Sequence, residues 1–553
     1  MKPPRLSGPA LVAARVAAES PGSDAALRKI LRGSMGIDRL GTLPASFRAP
    51  LAMEMRPVQA REPRGRASAR LPLPAPGAWP RTSASFTQAY RDGKLTPRAV
   101  AERVIDALDS LATRKPTMNV LAAKDAAATL RDAEAATARW AKGAPLGALD
   151  GVPFLVKDEF DVEGLPTRLG SRIEPETPAA RDSAVVARLR RAGAVFAGKT
   201  VLTEWGMSPI GANTHFEMPH NAHDPTRAPG GSSTGSGVGV ALGLAPIAAG
   251  GDGGGSIRIP ASLNGVFGIK PTFGRVSRAG DIFAGSVAHA GPLAASTLDL
   301  VAFLDAVASE HDPDDSITQW APPPPEGGFG ALLGAGVKGL KIGVDDTAWR
   351  DASPEVARAC EDALKALEKE GAEIIRIEMP LARHASAIGY LTIAPESVAA
   401  NREAWLHRRA EISDDVRLTY AFVAGLPTVD QIDAQRLRAG LRREVAETLR
   451  RVDVIAMPTT AITAPRYNEE DARGCFSDPE AIDGLCRFNF LGNLTGLPAA
   501  TAPVGTDSAS LPIGLQILGD AWDEATVLAV LAHLERIGAA KVRRPKSAID
   551  VLG

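Results

Sequence analysis

Three successive glycines followed by a serine, Gly253-Gly254-Gly255-Ser256, form the segment of this chain whose residue order most directly implies chemistry. Without Cβ atoms, neighbouring N–H groups can turn into one concavity, a nest that binds an anion. A serine closing such a nest is placed to attack a carbonyl whose oxygen lands on those donors as it gains negative charge. Each donor aimed at that oxygen is worth about 3 kcal/mol to the transition state. The serine still needs a base, and no histidine lies near it in sequence. Lys157, in GVPFLVKDEFDVEGLPT, ends the apolar run Val152–Val156. A lysine carried to the end of a buried strand loses hydration, which favours its neutral, basic form. The same residue reads equally well as a surface lysine after an edge strand, and the residue pattern leaves both readings open.

Two other motifs point elsewhere. Gly193-Ala-Val-Phe-Ala-Gly198-Lys199-Thr200 fits the phosphate-loop string, but such a loop must follow a strand and open a helix. Here a helical segment precedes it and its interior is apolar, so a buried strand ending at Lys199 is expected instead of a nucleotide site. Gly231-Ser232-Ser233-Thr234-Gly235 fits the nucleophile elbow, with Ser233 as nucleophile. The preceding DPTRAPG cannot be a central strand, and none of the later histidines sits in a catalytic context. An esterase using Ser233 is the second reading. His215, His220 and His223 cluster without a nearby cysteine or paired acid, which reads as loop residues and not as metal ligands.

These residues need elements that position them. The stretch 229–277 carries Gly and Ser like a linker, yet alternates them with Val, Ala, Leu and Ile, as a buried segment does. Small residues at Gly235, Gly237, Gly239, Ala241 and Gly243 would let a helix pack close to a sheet. Helical apolar spacing predicts helices over Pro97–Leu111 and Ala122–Lys142, with short strands at Val152–Val156, Val195–Ala197 and Lys341–Val344. The segments 182–192 and 354–370 each read as helix, glycine cap and strand. This alternation predicts an α/β fold with a central sheet, and no internal repeat is visible.

The net charge of −1 excludes a general electrostatic attraction to nucleic acid. No apolar run reaches the roughly 18 residues of a spanning helix. Cys360, Cys475 and Cys486 fit no metal or redox spacing, in keeping with a cytoplasmic setting; peripheral membrane association is the alternative. Residues 1–83 hold 14 basic against 5 acidic residues and are Pro/Arg-rich over 56–81. Lys2 and Arg5 precede the apolar Leu11–Ala18, but Arg15 interrupts it and no cleavage site follows. The expectation is an N-terminal arm over 1–83, with a short helix at 24–32 capped by Asp24, and a catalytic domain over 84–545.

The blocks GVPFLVKDEFDVEGLPT, APGGSSTGSG and GGDGGGSIRIPASLNGVFGIKPTFGRVS resemble the signature of amidase-signature serine hydrolases. They stand in the family's order, with 75 residues from Lys157 to Ser232 and 24 from Ser232 to Ser256. The likeness runs from about residue 84 to 540 and includes FNFLGNLTGLPAATAPVG near the end. The resemblance implies a central mixed β-sheet flanked by helices on both faces. It implies Ser256 as nucleophile, Ser232 with a cis peptide bond to its neighbour as proton relay, and Lys157 as base. The amides of Gly253, Gly254, Gly255 and Ser256 would form the oxyanion hole, with Asp252, Arg258 and Ser233 supporting the loop. The reaction implied is hydrolysis of a small-molecule amide through an acyl-serine, with no metal or organic cofactor.

The chain departs from the family pattern at four positions. Gly251 stands where Thr, Ser or Ala is usual and is expected to loosen that turn. Ala288 replaces a frequent Asp, Asn264 a frequent Cys, and Glu217 a usual Gly. Glu217 and WGMSPIGAN (205–213), with Met207 and Ser208 as candidate substrate contacts, are expected to shape the acyl pocket. Ile259 stands where glutamine-dependent transamidation enzymes carry Gln, which favours a stand-alone hydrolase. The long N-terminal arm and the GDGGGSIR block look like the fatty acid amide hydrolase branch, making N-acyl amides the candidate substrates. A catalytically silent binding protein on the same fold is the third reading; retention of all three catalytic residues argues against it. A homodimer is compatible with the chain, and nothing in it sets the oligomeric state.

Overall fold

The alternating apolar strands and amphipathic helices come together in one sheet. The computed structural model describes residues 5–20, 25–48, 79–281 and 285–553. Among these, eleven strands pair in the order Leu121–Ala123, Val195–Thr200, Pro153–Lys157, Ile247–Asp252, His289–Ala294, Phe267–Lys270, Ala499–Thr506, Pro512–Leu518, Val454–Pro458, Lys341–Val344 and Glu373–Arg376. Pro153–Lys157 is parallel to both its neighbours, as is Lys341–Val344, and the remaining pairings are antiparallel. The sheet is therefore mixed, as expected, and helices flank it. Side chains alternate between two cores: Val454 and Ala456 join one, Ile455 and Met457 the other.

The small-residue stretch after Ser233 is the helix Thr234–Leu242, buried throughout. A Cβ at Gly235 would overlap the Val120 carbonyl, and one at Gly239 would meet Leu155 Cδ1 at 2.6 Å. Close packing of this helix on the sheet thus requires its glycines. The Ala184–Arg191 and Pro354–Lys369 helices each lead through a glycine into a strand. Two expectations need correction. The helix predicted from Ala122 starts at Ala126, capped by Asp125, because Leu121–Ala123 is recruited as an edge strand beside Val195–Thr200. The strand expected to end at Lys199 runs on to Thr200. Lys199 Nζ lies 2.7 Å from Asp158 Oδ1 with both groups buried, so the phosphate-loop string is a sheet element with its lysine already paired.

Within the basic N-terminal region, Gly8–Glu19, Ala25–Ser34 and Ile37–Gly41 are helical; Asp24 and residues 49–78, including most of the Pro/Arg-rich run, lie outside the described residues. Leu11, Ile37 and Leu40 are buried, and the basic residues find acids on the body. Arg15 pairs with Asp414 at 3.0 Å, Arg32 with Asp430 at 2.5 Å and Arg48 with Asp433 at 2.6 Å. Gly440, inside the Thr428–Leu449 helix, sits where a Cβ would overlap the Phe47 carbonyl oxygen. Gly440→Ala would stabilise an unobstructed helix by about 0.5–1 kcal/mol. Here it is expected to destabilise by about 1–3 kcal/mol, read as a lower midpoint of thermal unfolding.

Candidate active site

Lys157 closes the Pro153–Lys157 strand, whose Phe154, Leu155 and Val156 are fully buried. The parallel neighbour Ile247–Asp252 ends at the same edge of the sheet, with Val156 opposite Ala249, and runs directly into the glycine nest. Lys157 Nζ donates to Ser232 Oγ at 2.9 Å and approaches the Gly251 carbonyl at 3.4 Å. It also lies 2.8 Å from Glu159 Oε2, with both side chains 2% exposed. The surface-lysine reading is thereby excluded.

The Gly231–Ser232 peptide is cis. Its loop is held by Gly230 N–H on the Ile210 carbonyl at 3.0 Å and Gly231 N–H on the Pro209 carbonyl at 2.8 Å. Met207 and Ser208 begin that supporting loop, and a Cβ at Gly231 would come within 2.8 Å of the Ser208 carbonyl oxygen. Ser256 is half-buried while Ser232 and Lys157 are buried, so Ser256 is the member of the group that solvent can reach. Its carbonyl accepts the Ser233 N–H at 3.2 Å, tying the serine loops together.

The nest is braced by Asp252. Arg258 donates to it from Nε at 3.0 Å and from Nη2 at 2.8 Å, both groups being fully buried. Asp252 also accepts the Ile257 N–H at 3.1 Å and Asn493 Nδ2 at 2.9 Å. Burial alone would raise the Asp252 carboxyl's pKa. The charge and hydrogen bonds of Arg258 outweigh it, with Asn493 and Lys270 contributing, and hold the group well below the usual carboxylate range. One expectation changes here: the Gly255 N–H donates to Asp252 Oδ1 at 2.7 Å and is not directed into the nest. Among the described residues, the N–H groups of Gly253, Gly254 and Ser256 meet no protein acceptor.

Other candidates fall elsewhere. Ser233 is fully buried, follows no strand and donates to the Gly251 carbonyl at 3.2 Å, so the elbow geometry is missing. The clustered histidines have separate partners: His215 lies 2.9 Å from Glu204 Oε1, His220 Nδ1 lies 2.6 Å from the Pro225 carbonyl, and His223 Nε2 lies 3.0 Å from the Asn264 carbonyl. Among the described residues, no group of three or more His, Cys, Asp or Glu is arranged to hold a metal ion. Glu217 lines a surface cleft with Lys115, Arg172 and Phe216. Gly251 does not loosen a turn, since it lies within a strand, paired with Ala290. Sequence reasoning missed Glu159, Asn489, Asn493 and Gln516. Of these, only Glu159 had a local signal, a carboxylate two residues after a lysine that ends a buried strand.

A mixed sheet that delivers a buried lysine, a serine pair and a glycine nest to one edge defines a class of enzyme. The chain belongs to the Amidase family, whose model matches residues 102–528, and it is a hydrolase of amide carbon–nitrogen bonds. It is 35% identical over 495 residues to a fatty acid amide hydrolase of Medicago truncatula, spanning 86% of this chain and 80% of that one. It is also 35% identical over 448 residues to a component of the glutamyl-tRNA(Gln) amidotransferase of Myxococcus xanthus (strain DK1622), spanning 76% and 90%. A solved bacterial aryl acylamidase of the amidase signature family superposes with a TM-score of 0.74 at 26% identity, over 82% of this chain and 96% of that one. Among the described residues, no helix is long and apolar enough to cross a membrane.

Proposed function

We propose that the protein hydrolyses N-acyl amides through Ser256 as nucleophile, Ser232 as proton relay and Lys157 as base, within a catalytic domain over 84–545 that follows an N-terminal extension over 1–83. The observation that carries this reading is the 2.9 Å hydrogen bond from Lys157 Nζ to Ser232 Oγ beside a nest of unengaged amides. Ser256 Oγ bonds to the substrate carbonyl carbon, and the carbonyl π pair moves onto oxygen, facing the Gly253, Gly254 and Ser256 N–H groups. The Ser256 proton passes to Ser232 Oγ as the Ser232 proton passes to Lys157 Nζ. Collapse of the oxyanion breaks the C–N bond, and Lys157 returns a proton through Ser232 to the leaving amine. Water repeats the sequence on the acyl-serine, releasing the acid.

The acyl class is supported by apolar packing beside the nest. Phe490 packs on Gly254, where a Cβ would come within 2.6 Å of its ring, and its ring lies 5.4 Å from that of Tyr390. Tyr390 in turn borders a mainly apolar crevice with Leu31, Met35, Leu418 and Phe422. Apolar side chains of this kind favour a hydrocarbon tail over a polar one, each buried methylene contributing about 0.8 kcal/mol. The test is hydrolysis of an amide series from acetyl to oleoyl, run beside fluorophosphonate labelling mapped to its peptide. Rates rising with acyl length and a label on Ser256 are expected. A flat zero on folded protein overturns hydrolysis of these amides, and a maximum at acetyl overturns the long-chain class.

A further inference from the structure

Glu159 is a buried acid that the proton path above does not use. Its N–H turns back onto the Lys157 carbonyl at 2.7 Å, which brings its carboxylate alongside the Lys157 side chain, Oε2 at 2.8 Å from Nζ. The other oxygen, Oε1, is buried without a hydrogen-bond partner and lies against Gly251. A Cβ at position 251 would fall inside this carboxylate, overlapping Oε1 and reaching Cδ at 2.7 Å. The departure at Gly251 thus has a physical cause: the space a Thr, Ser or Ala side chain would fill holds the Glu159 carboxylate. The Gly251 carbonyl meanwhile faces Lys157 Nζ at 3.4 Å and Ser233 Oγ at 3.2 Å.

We propose that Glu159 is a positioning residue and counter-ion for Lys157, seated in the space that Gly251 leaves open, and that it holds the ammonium formed when Lys157 takes the serine proton. This rests on Lys157 being the base. In the acylation step two charges appear, an oxyanion over the nest and an ammonium on Lys157. The nest amides meet the first and Glu159 meets the second. When the amine departs with its proton, Lys157 returns to neutrality and Glu159 keeps its charge, so the proton count balances over the cycle. The other charged groups facing Glu159 are Asp281 and Arg278, which pair with each other at 2.9 Å. Burial pushes the Glu159 carboxyl up to about 7, with Lys157 and Arg278 opposing and Asp281 adding to the rise.

The experiment is a pH profile of kcat and KM for the wild type, Glu159→Gln and Glu159→Asp on an amide the wild type hydrolyses. Glutamine keeps the shape and removes the charge. Its kcat is expected to fall roughly tenfold or more, up to the 10²–10⁴ that a positioned base contributes, with KM little changed. Its acid limb is expected to move to lower pH by about one unit, since an adjacent anion no longer favours the protonated lysine. Aspartate, which keeps the charge on a shorter arm, is expected to restore the wild-type limb at reduced kcat. An unmoved limb in Glu159→Gln overturns the proposal whatever its kcat. If that variant does not fold, Gly251→Ala, which displaces the carboxylate, must show the same acid shift, and a wild-type limb there overturns the proposal equally. Absence of Ser256 labelling and hydrolysis in the wild type would strike the triad reading; an unmoved limb in labelled, active protein strikes only Glu159.

Discussion

Ser256→Ala is expected to lower amide hydrolysis by on the order of 10⁵-fold or more and to abolish fluorophosphonate labelling, with the fold intact. The size follows from what the residue does: it forms the covalent bond to the acyl group, and no neighbour can substitute. Ser233 is next to Ser232 in sequence, but its hydroxyl is buried and given to the Gly251 carbonyl. Ser232 is itself buried and bonded to Lys157. The residual rate would come from the nest and from substrate binding alone. Ser233→Ala is the control: it removes one buried hydrogen bond, about 1 kcal/mol of stability, and is expected to keep the label. Labelling retained in Ser256→Ala and lost in Ser233→Ala would reverse the assignment. Intact-mass measurement after probe treatment reads both variants directly.

Asp252→Ala is expected to cost about 3–5 kcal/mol of stability, because it leaves the buried Arg258 cation without its anion. Arg258 is fully buried, with further bonds to the Asn489 carbonyl at 2.9 Å and Asn493 Oδ1 at 2.6 Å, but these acceptors are neutral. The substitution also releases the Gly255 and Ile257 N–H groups that set the loop's shape. Labelling should therefore fall even in the fraction that remains folded. The pH dependence has a defined sign. The folded carboxyl is depressed, so its stabilisation is fully present above the ordinary value near 4 and is lost as pH falls through the lower folded value. Thermal unfolding followed from neutral pH downward should show this acid-side loss in the wild type. In Asp252→Ala the Asp252 share of that loss disappears, and a midpoint unchanged at neutral pH would refute the bracing role.

What the sequence made legible were features with a local signature. Ser256 follows a glycine run, Lys157 ends an apolar run, and the helix at Thr234 has small residues at packing distance. The fold class follows from strands and helices alternating with glycine caps between them. The bracing residues have no such signature: Asn493 donates to Asp252 and Gln516 accepts from Arg258, each from more than 200 positions away. In the sequence Asn493 is visible only as one position within FNFLGNLTGLPAATAPVG, with no sign of which partner it meets. Residues 122–125 read as helix because alanine favours it, and a neighbouring strand edge overrides that preference. The amide of Gly255 reads as part of the nest because glycine runs reveal which backbone can turn, not which way each N–H points. Glu159 and Gly251 lie 92 positions apart, and neither explains itself without the other.

The two parallel strands that end at Lys157 and Asp252 also determine how this chain can change. Register along a strand alternates side chains between faces, so a single-residue slip exchanges them all. Deleting one residue within Val152–Val156 would preserve every signature block downstream and still aim the lysine at the opposite core. Surface loops could lengthen at modest entropic cost. Insertions and deletions in descendants of this chain are therefore confined by catalysis to the segments outside these two strands, and the spacing within them is inherited as a fixed length.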